Sequence, residues 1–305
     1  HRGNQVAVDK KGCTKGFKCL FHGWTYDTEG QLSSVPALEK FSTVDKAENG
    51  LKPIHLDVWG GFVHLCLADE PPCSLEEFMQ PMTERLGQHF GDQPWYLGAT
   101  VACHVDCNWK LPYDAVSEFY HFNALHPKSI GGGMALKDAI PTIYPQKAGV
   151  VGHFEAFYDP TEAFLEPTPI QKLTAELGAG GVHTKSNKIE TGSRYPEAIN
   201  LGNRPDWAVD MYVTLPHVAY LVQEQSVAVQ RSWPIAVDRC YVELEFWALT
   251  PPPESFSEYF NGSSVEARLA DILVEDFSTL ERIQANLVHG AVRDFHFNSD
   301  EWLVK

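Results

Sequence analysis

Three residues near the start of the sequence have the types and the spacing of metal ligands. His1 precedes Cys19 and His22, which lie three positions apart within CLFHGW. A thiolate and an imidazole on one tight loop can reach a single metal centre, and a second imidazole can join them from a parallel loop. Such mixed ligation suits zinc or a [2Fe–2S] cluster with two histidines on one iron. Zinc is disfavoured, because a structural zinc site needs four ligands at finger-like spacing.

A second group of candidate ligands lies in residues 108–127, which read NWKLPYDAVSEFYHFNALHP. Glu118 and His121 are three positions apart, so a helix would place them on one face. His121 and His126 are five apart, and a regular helix would separate them by about 140°. They can bind one ion only if the helix ends or widens between them, and Pro127 favours an end. Two imidazoles and a carboxylate form the facial triad of non-heme Fe(II) oxygenases, and the carboxylate ligand must come from elsewhere in the chain.

The composition excludes several classes of protein. The chain has 305 residues, 12% of them aromatic, and its 40 acidic and 24 basic side chains give a net charge of −16. No apolar run reaches the roughly eighteen residues of a membrane span, and the acidic balance argues against binding to nucleic acids. Seven cysteines without regular spacing argue against a secreted disulfide framework. We therefore expect a cytoplasmic enzyme with reduced thiols.

The apolar pattern predicts a β-rich first part and a mixed second part. The strand candidates, the last three of which read as an antiparallel sheet, are residues 5–8, 54–58, 61–65, 99–105, 211–222, 226–237 and 240–249. The predicted helices are residues 74–90, begun by Ser74, a segment from about Tyr113, and an amphipathic helix over 264–288. The pattern of apolar residues changes near residue 97, and this change predicts a small β domain over residues 1–97 and an α+β domain over residues 98–305.

The first ligand group resembles a known signature. HRG, fifteen further residues and CLFHGW match the cluster-binding pattern of Rieske proteins, C-x-H-R-G followed by C-x-x-H-G-W. The resemblance implies that His1 and His22 bind one iron of a [2Fe–2S] cluster. Cys19 would bind the other iron together with a cysteine two positions before His1, outside this sequence. Trp24 belongs to the signature, whereas Cys13 matches no ligand position. We therefore expect a fragment that lacks residues at both ends.

The second ligand group is similar to the mononuclear-iron motif of Rieske non-heme iron oxygenase α subunits, (D/E)-x3-D-x2-H-x4-H. Asp114, Glu118, His121 and His126 fall on its four positions in order. The resemblance implies that both histidines bind Fe(II), and that the carboxylate at 118 bridges to a cluster-ligating histidine of the neighbouring subunit. Ring-hydroxylating dioxygenases usually have Asp there, whereas Glu is seen in demethylase-like branches, which weakens the prediction of substrate class. Asn108 is also family-like and is assigned to packing and helix positioning.

The family takes its third iron ligand from an Asp on the long helix near the C-terminus. Asp276, within LVEDFSTLERIQ, matches by position and context. Glu275 and Asp271 are competitors, which would otherwise be solvated acids on the helix face. An apolar stripe beside Asp276 favours it as the ligand, and the residues of this stripe are Val274, Phe277 and Leu280. Other aromatic residues line an apolar pocket or belong to the core, namely Phe119, Tyr120, Phe122, Phe154, Phe157 and Phe164.

The resemblance also implies the fold and the activity. We expect an α+β protein, with a small all-β Rieske domain followed by a catalytic domain of the helix-grip kind around an antiparallel sheet. The expected function is an oxygenase component that activates dioxygen at Fe(II) and hydroxylates a small aromatic substrate. Electrons would come from NAD(P)H through a separate reductase, directly or through a ferredoxin, and reach the iron by way of the Rieske cluster. Because that path crosses between subunits, a homotrimer or an α3β3 assembly is expected.

Three alternatives remain open at this point. Within the oxygenases, monooxygenation or demethylation of a methylated amine or ether competes with hydroxylation of an aromatic ring. A Rieske ferredoxin would need no second iron site, and a lipid-binding module of helix-grip shape would need no metal. The two ligand groups argue against both of these. Iron analysis separates the oxygenase from these two classes. It would detect two kinds of iron in an oxygenase, cluster iron alone in a ferredoxin, and no iron in a lipid-binding module.

Overall fold

A computed structural model of the chain forms two compact units, one of residues 1–57 with 63–71 and the other of residues 58–62 with 72–305. The domain boundary near residue 97 stays a prediction. The residues that the structure describes are 1–91, 94–126, 134–135, 142–147, 149–158, 199–200, 202–223, 226–249, 251, 254, 256–299, 301 and 303–304.

The first unit is built from short antiparallel strands. Its elements, some of which extend into the second unit, are β1 (Phe17–Lys18), β2 (Thr25–Tyr26), β3 (Leu32–Ser34), a 3-10 helix (Leu38–Lys40), β4 (His55–Trp59) and β5 (Phe62–Cys66). β1 to β3 form one sheet, and β4 pairs with β5. The strand predicted over residues 5–8 is wrong. Only Val6 of that segment packs against the core of the first unit, and the other three side chains are exposed.

The second unit contains one large antiparallel sheet. Its strands are β6 (Tyr96–Val105), β7 (Met134–Ala135), β8 (Thr142–Gln146), β9 (Gly149–Tyr158), β10 (Trp207–Thr214), β11 (Val218–Val222), β12 (Ser226–Ala236) and β13 (Arg239–Ala248). They are ordered β6-β13-β12-β11-β10-β9-β7, and β8 also pairs with β9. The run predicted over 211–222 divides into two strands, because the chain turns at Leu215-Pro216-His217 between β10 and β11.

Within the part of the chain that the structure describes, the helices beside the sheet are α1 (Leu75–Gly91), α2 (Lys110–Ala115), α3 (Phe122–Leu125) and α4 (Phe256–Val288). The predicted start of α1 is confirmed, since the Ser74 hydroxyl accepts the N–H of Glu77 at 3.0 Å. The helical segment predicted from about Tyr113 is interrupted. α2 ends at Ala115, and a turn separates it from the single turn of α3. Glu118 therefore lies in the turn and not on a helix face.

The sheet buries both of its faces. α1 covers one face with Met79, Met82 and Leu86, all fully buried. The long helix α4 packs on the opposite face through Leu273, Phe277 and Leu280. Burial of both faces explains the uniformly buried β10 and confirms the predicted helix-grip arrangement of an α+β protein. Among the described helices, none combines the length and the apolar character of a membrane span.

One residue of the predicted apolar stripe on α4 was assigned wrongly. Val274 is 66% exposed, whereas Leu273 is buried. Each helical residue advances by about 100°, so the buried stripe that contains Phe277 and Leu280 continues at Leu273 and not at its neighbour. The stripe still lies beside Asp276, which is where the prediction needed it.

Candidate iron centres

Two neighbouring loops bring together the three ligands predicted near the N-terminus. The rings of His1 and His22 meet edge to face with their centroids 5.3 Å apart, and His1 stacks on Trp24 at 4.1 Å. The loop of Cys19 closes because Gly23 N–H donates to the Cys19 carbonyl at 2.8 Å. Gly23 has φ +74°, a conformation that favours glycine, and a Cβ atom there would lie 3.2 Å from Pro36 Cγ.

The donor atoms of this first site fit a [2Fe–2S] cluster. Nδ1 of His1 is buried and has no hydrogen-bond partner among the described residues. Burial raises the pKa of the Cys19 thiol, but the N–H groups of Phe21 and His22 and the side chain of Asn4 outweigh burial and lower it. Asn4 Nδ2 lies 3.6 Å from Cys19 Sγ. A stabilised thiolate and an imidazole nitrogen without a partner are the chemistry that cluster iron requires.

The second site joins α3 to the middle of α4. His121 and His126 flank the single turn of α3, and their ring centroids are 5.3 Å apart. Oδ1 of Asp276 lies 3.1 Å from Nε2 of His126 and 3.6 Å from Nε2 of His121. Ligands about 2.1 Å from one ion in adjacent positions lie about 3 Å apart, so the three atoms can face one metal. The structure thus brings together the three residues predicted to bind Fe(II).

Two of these three atoms are buried without hydrogen bonds. Nε2 of His126 and Oδ1 of Asp276 have no hydrogen-bond partner among the described residues, although they approach each other closely. Burying polar atoms unpaired is costly, and a shared metal ion removes that cost. Burial lowers the pKa of His126, but the carboxylates of Asp276 and Glu275 outweigh burial and raise it. This excess of negative charge also favours a cation, so the residues present fit a mononuclear iron.

Glu118 fixes the orientation of the His121 ring. Nδ1 of His121 hydrogen-bonds one carboxylate oxygen of Glu118, and the backbone N–H of His121 donates to the other at 3.2 Å. Glu118 is buried. A proton held on Nδ1 leaves the lone pair of Nε2 directed toward Asp276, as a metal-binding histidine requires.

Glu275 fixes the orientation of the His126 ring, as Glu118 does for His121. The sequence did not predict this role of Glu275. Oε2 of Glu275 lies 2.8 Å from Nδ1 of His126, on the side of the ring away from Asp276. Glu275 was considered only as a competing ligand, since a helix gives no signal that adjacent acids contact the same ring.

We expect the substitution Glu275→Ala to weaken iron binding about 10- to 100-fold, because His126 then loses the partner that sets its protonated nitrogen. The dissociation constant for Fe(II) at this site, measured by competition with a chelator, tests this. Asp271→Ala removes an exposed acid from the same helix and is the matched control. Equal affinities of the two variants would contradict the role of Glu275.

Two other predicted residues, Asn108 and Asp114, lie at the start and near the end of α2. The Asn108 side chain accepts the N–H of Lys110 at 3.1 Å and donates to the Val237 carbonyl at 2.7 Å, so it ties the start of α2 to the turn between β12 and β13. Asp114, near the end of α2, is partly buried. Burial raises its pKa to about 7, more than Lys110 lowers it.

The raised pKa of Asp114 predicts a pH-dependent stability. The folded state keeps the proton up to about pH 7, whereas the unfolded state loses it near the ordinary value of 3.8. The free energy of unfolding should therefore fall by a few kcal/mol as the pH rises from about 4 to about 7, and stay level above. In Asp114→Asn, the free energy of unfolding measured with urea should not show this decrease between about pH 4 and about pH 7. The surface substitution Asp238→Asn should keep it, and an unchanged slope in Asp114→Asn would contradict the assignment.

An apolar cavity of about 150 Å³ opens beside the second site. Phe119 and Phe122 line it, as predicted, and the sheet and α4 add residues that the sequence did not single out, among them Met211, Leu221, Gln230, Phe246 and Phe277. The other predicted aromatic residues lie elsewhere. Phe154 and Phe157 belong to the core, Tyr120 is 61% exposed, and Phe164 lies outside the described residues.

A third group of possible ligands, on the other face of the sheet, forms a closed network. His153 contacts Asp210 at 3.0 Å through Nε2 and Arg85 at 3.1 Å through Nδ1. Both ring nitrogens therefore have partners, and the guanidinium opposes a metal cation. We assign this group to packing between α1 and the sheet.

Comparison with known proteins identifies the family of both parts of the chain. The family model described as Ring hydroxylating alpha subunit (catalytic domain) matches residues 93–305, and the Rieske [2Fe-2S] domain matches residues 1–49. The oxygenase subunit of glycine betaine monooxygenase from Pseudomonas aeruginosa is 32% identical over 132 residues, 42% of this chain and 29% of that protein. The large oxygenase component of the naphthalene 1,2-dioxygenase system from the same species is 28% identical over 170 residues, 49% of this chain and 35% of that protein. The matched part thus spans about a third of these relatives.

Solved structures share the fold. A quaternary ammonium Rieske monooxygenase superposes with a TM-score of 0.65 at 15% identity, covering 96% of this chain and 68% of that chain. Naphthalene 1,2-dioxygenase from Rhodococcus sp. gives 0.63 at 19% identity, covering 94% and 68%. Since the catalytic-domain family model matches well over half of the sequence, the chain belongs to the ring hydroxylating alpha subunit family of Rieske oxygenases.

Proposed function

We propose that this chain belongs to an oxygenase component that hydroxylates a small, uncharged aromatic substrate. The family implies a [2Fe–2S] cluster and a mononuclear iron. The observation that carries the proposal is the position of His121, His126 and Asp276. Nε2 of His126 and Oδ1 of Asp276 are buried without hydrogen-bond partners among the described residues, and His121 and Asp276 line the apolar cavity. In this proposal they hold the iron, and His1, Cys19 and His22 ligate the cluster.

The protein's own residues orient the ligands and exclude water. Glu118 and Glu275 hold protons on the Nδ1 atoms of the two iron-binding histidines, so that both Nε2 lone pairs face the centre. Bound iron supplies open positions for dioxygen and substrate, with electrons delivered through the cluster. The apolar wall beside the site, which includes Phe119 and Phe122, binds the substrate and displaces water from the iron.

The size and charge of the cavity support the substrate class. An apolar cavity of about 150 Å³ is large enough for benzene, so a single ring fits. Among the described residues that line it, none is Lys or Arg, whereas Glu118 and Asp276 are acidic. A carboxylate on the substrate would therefore lack a partner and be repelled.

Turnover of the full-length protein, with its reductase and NAD(P)H, tests the proposal. We expect oxygen from ¹⁸O₂ to appear in the ring of a single-ring hydrocarbon such as toluene. Benzoate and terephthalate, which carry carboxylates, should give little product. Iron bound at both sites without any ring oxygenation across this panel would contradict the proposed function.

A methylated amine is the second candidate substrate. It is favoured by Glu118, which stands where ring-hydroxylating dioxygenases usually have Asp, and by the likeness to a glycine betaine monooxygenase subunit. The faces of the cavity's Phe residues could also accept a trimethylammonium group. Hydroxylation of an N-methyl group releases formaldehyde, so formaldehyde without ring oxygenation would select this candidate over the first.

The partners and the location follow from the same proposal. A reductase, alone or with a ferredoxin, would deliver electrons from NAD(P)H. A homotrimer or an α3β3 assembly would place the cluster of one subunit near the iron of the next, with Glu118 between them. We place the protein in the cytoplasm, a location that suits its seven free cysteines.

A further inference from the structure

Gln230 is a buried polar side chain in the wall of the apolar cavity. It lies on β12, with Ala219 and Leu244 as its neighbours on the adjacent strands. The residue is 6% exposed and lines the cavity. A buried amide in an apolar wall costs free energy unless both of its ends are hydrogen-bonded, so each end needs a partner.

The orientation of this amide is fixed by one hydrogen bond. Nε2 of Gln230 donates to the backbone carbonyl of Pro112, in α2, at 3.1 Å. A carbonyl oxygen only accepts, so the nitrogen must face Pro112 and the oxygen must point away from it. Among the described residues, none donates a hydrogen bond to Oε1 of Gln230. The side chain lines the cavity, and the oxygen is the end of its amide opposite the contact with Pro112.

The neighbouring polar residues of the cavity are already paired. The Ser226 hydroxyl donates to Oε1 of Gln223 at 3.0 Å, and Nε2 of Gln223 donates to the Ala208 carbonyl at 3.2 Å. Glu118 accepts from His121, and Asp276 faces the proposed iron. Among the described side chains that line the cavity, Gln230 therefore offers a hydrogen-bond acceptor that is still available to a bound molecule.

We infer that Gln230 determines specificity for a substrate that carries a hydrogen-bond donor, a single aromatic ring bearing an O–H or N–H group. This inference rests on the proposed function and narrows its substrate class. The ring would occupy the apolar space beside Phe122 and Phe246, and its donor would bind Oε1 of Gln230. A quaternary ammonium compound has no N–H or O–H on its cationic group and would gain no such hydrogen bond.

Binding of two probes of nearly equal shape tests the inference. Phenol and toluene differ by a hydroxyl in place of a methyl group, and their dissociation constants can be measured by calorimetry with the full-length, iron-loaded protein. In Gln230→Met, which keeps the length of the side chain but has no amide, we expect phenol to bind about 10-fold more weakly or worse. The dissociation constant of toluene should change by less than about 2-fold, since its methyl group makes no hydrogen bond.

A second variant separates this role from a structural one. Gln230→Glu keeps an acceptor oxygen at the same distance but lacks the amide donor to Pro112. If Gln230 acts on the substrate, Gln230→Glu retains most of the phenol affinity. If Gln230 only holds α2, both variants weaken phenol and toluene to the same extent, and the inference is overturned. Failure of either probe to bind the wild-type protein also overturns it. These results do not depend on catalysis, so loss of the proposed function would be detected separately in the ¹⁸O₂ assay.

Discussion

Asp276→Ala is expected to remove the mononuclear iron and leave the absorption spectrum of the cluster unchanged. The carboxylate of Asp276 supplies the atom that lies nearest to both histidine Nε2 atoms, and alanine leaves only two ligands facing the centre. Total iron should fall from about three to about two atoms per chain, since a Rieske cluster contributes two. Product formation should fall to background, because open positions on iron are needed for dioxygen.

Asp271→Ala is the control for this experiment. Asp271 is an exposed acid five positions earlier on α4, so its removal changes the charge of the helix without touching the site. It should keep all of its iron. If Asp276→Ala also keeps the mononuclear iron, the wrong carboxylate has been assigned, and Glu275 becomes the first residue to examine.

Glu118→Gln is expected to slow electron transfer between the two centres about 10- to 100-fold while both metals stay bound. The amide can still accept a hydrogen bond from Nδ1 of His121, so the ring should keep its orientation. The substitution removes the negative charge of the carboxylate. In the proposed path, this charge bridges His121 and the cluster-ligating histidine of the neighbouring subunit. Stopped-flow reoxidation of the reduced cluster, in the presence of substrate and oxygen, measures this rate.

Glu118→Asp provides the comparison for the charge. It restores a carboxylate, one methylene shorter, and should transfer electrons faster than Glu118→Gln. The bridging role would be refuted by a single-turnover product yield in Glu118→Gln equal to that of the wild type. Loss of iron from Glu118→Gln would assign Glu118 to ligand geometry instead.

The proximity of the proposed iron ligands could be predicted because their spacing carries chemical information. The spacing of His121 and His126 requires a break in the helix, and the structure places them on either side of the one-turn helix α3. The apolar stripe on α4 identified the correct part of that helix, although it included Val274, which faces solvent. Periodicity fixes which face is buried to within about one residue, and here that was sufficient to place Asp276 beside the core.

The roles proposed for Glu275 and Gln230 could not be predicted in the same way. Glu275 and Gln230 reach their partners across the tertiary structure, from α4 to α3 and from β12 to α2. Neither contact leaves a periodic or motif signal in the sequence. The strand predicted at residues 5–8 failed because only Val6 packs against the core, and strand preference depends on packing of a whole half-buried face.

The position of the mononuclear iron tests the account most directly. A crystal of the full-length protein, with anomalous scattering recorded at the iron edge, would locate every iron atom. We predict one isolated peak about 2.2 Å from Nε2 of His121, Nε2 of His126 and a carboxylate oxygen of Asp276. A peak bound instead through Glu118 or Glu275, or no isolated iron in an active preparation, would contradict the assignment.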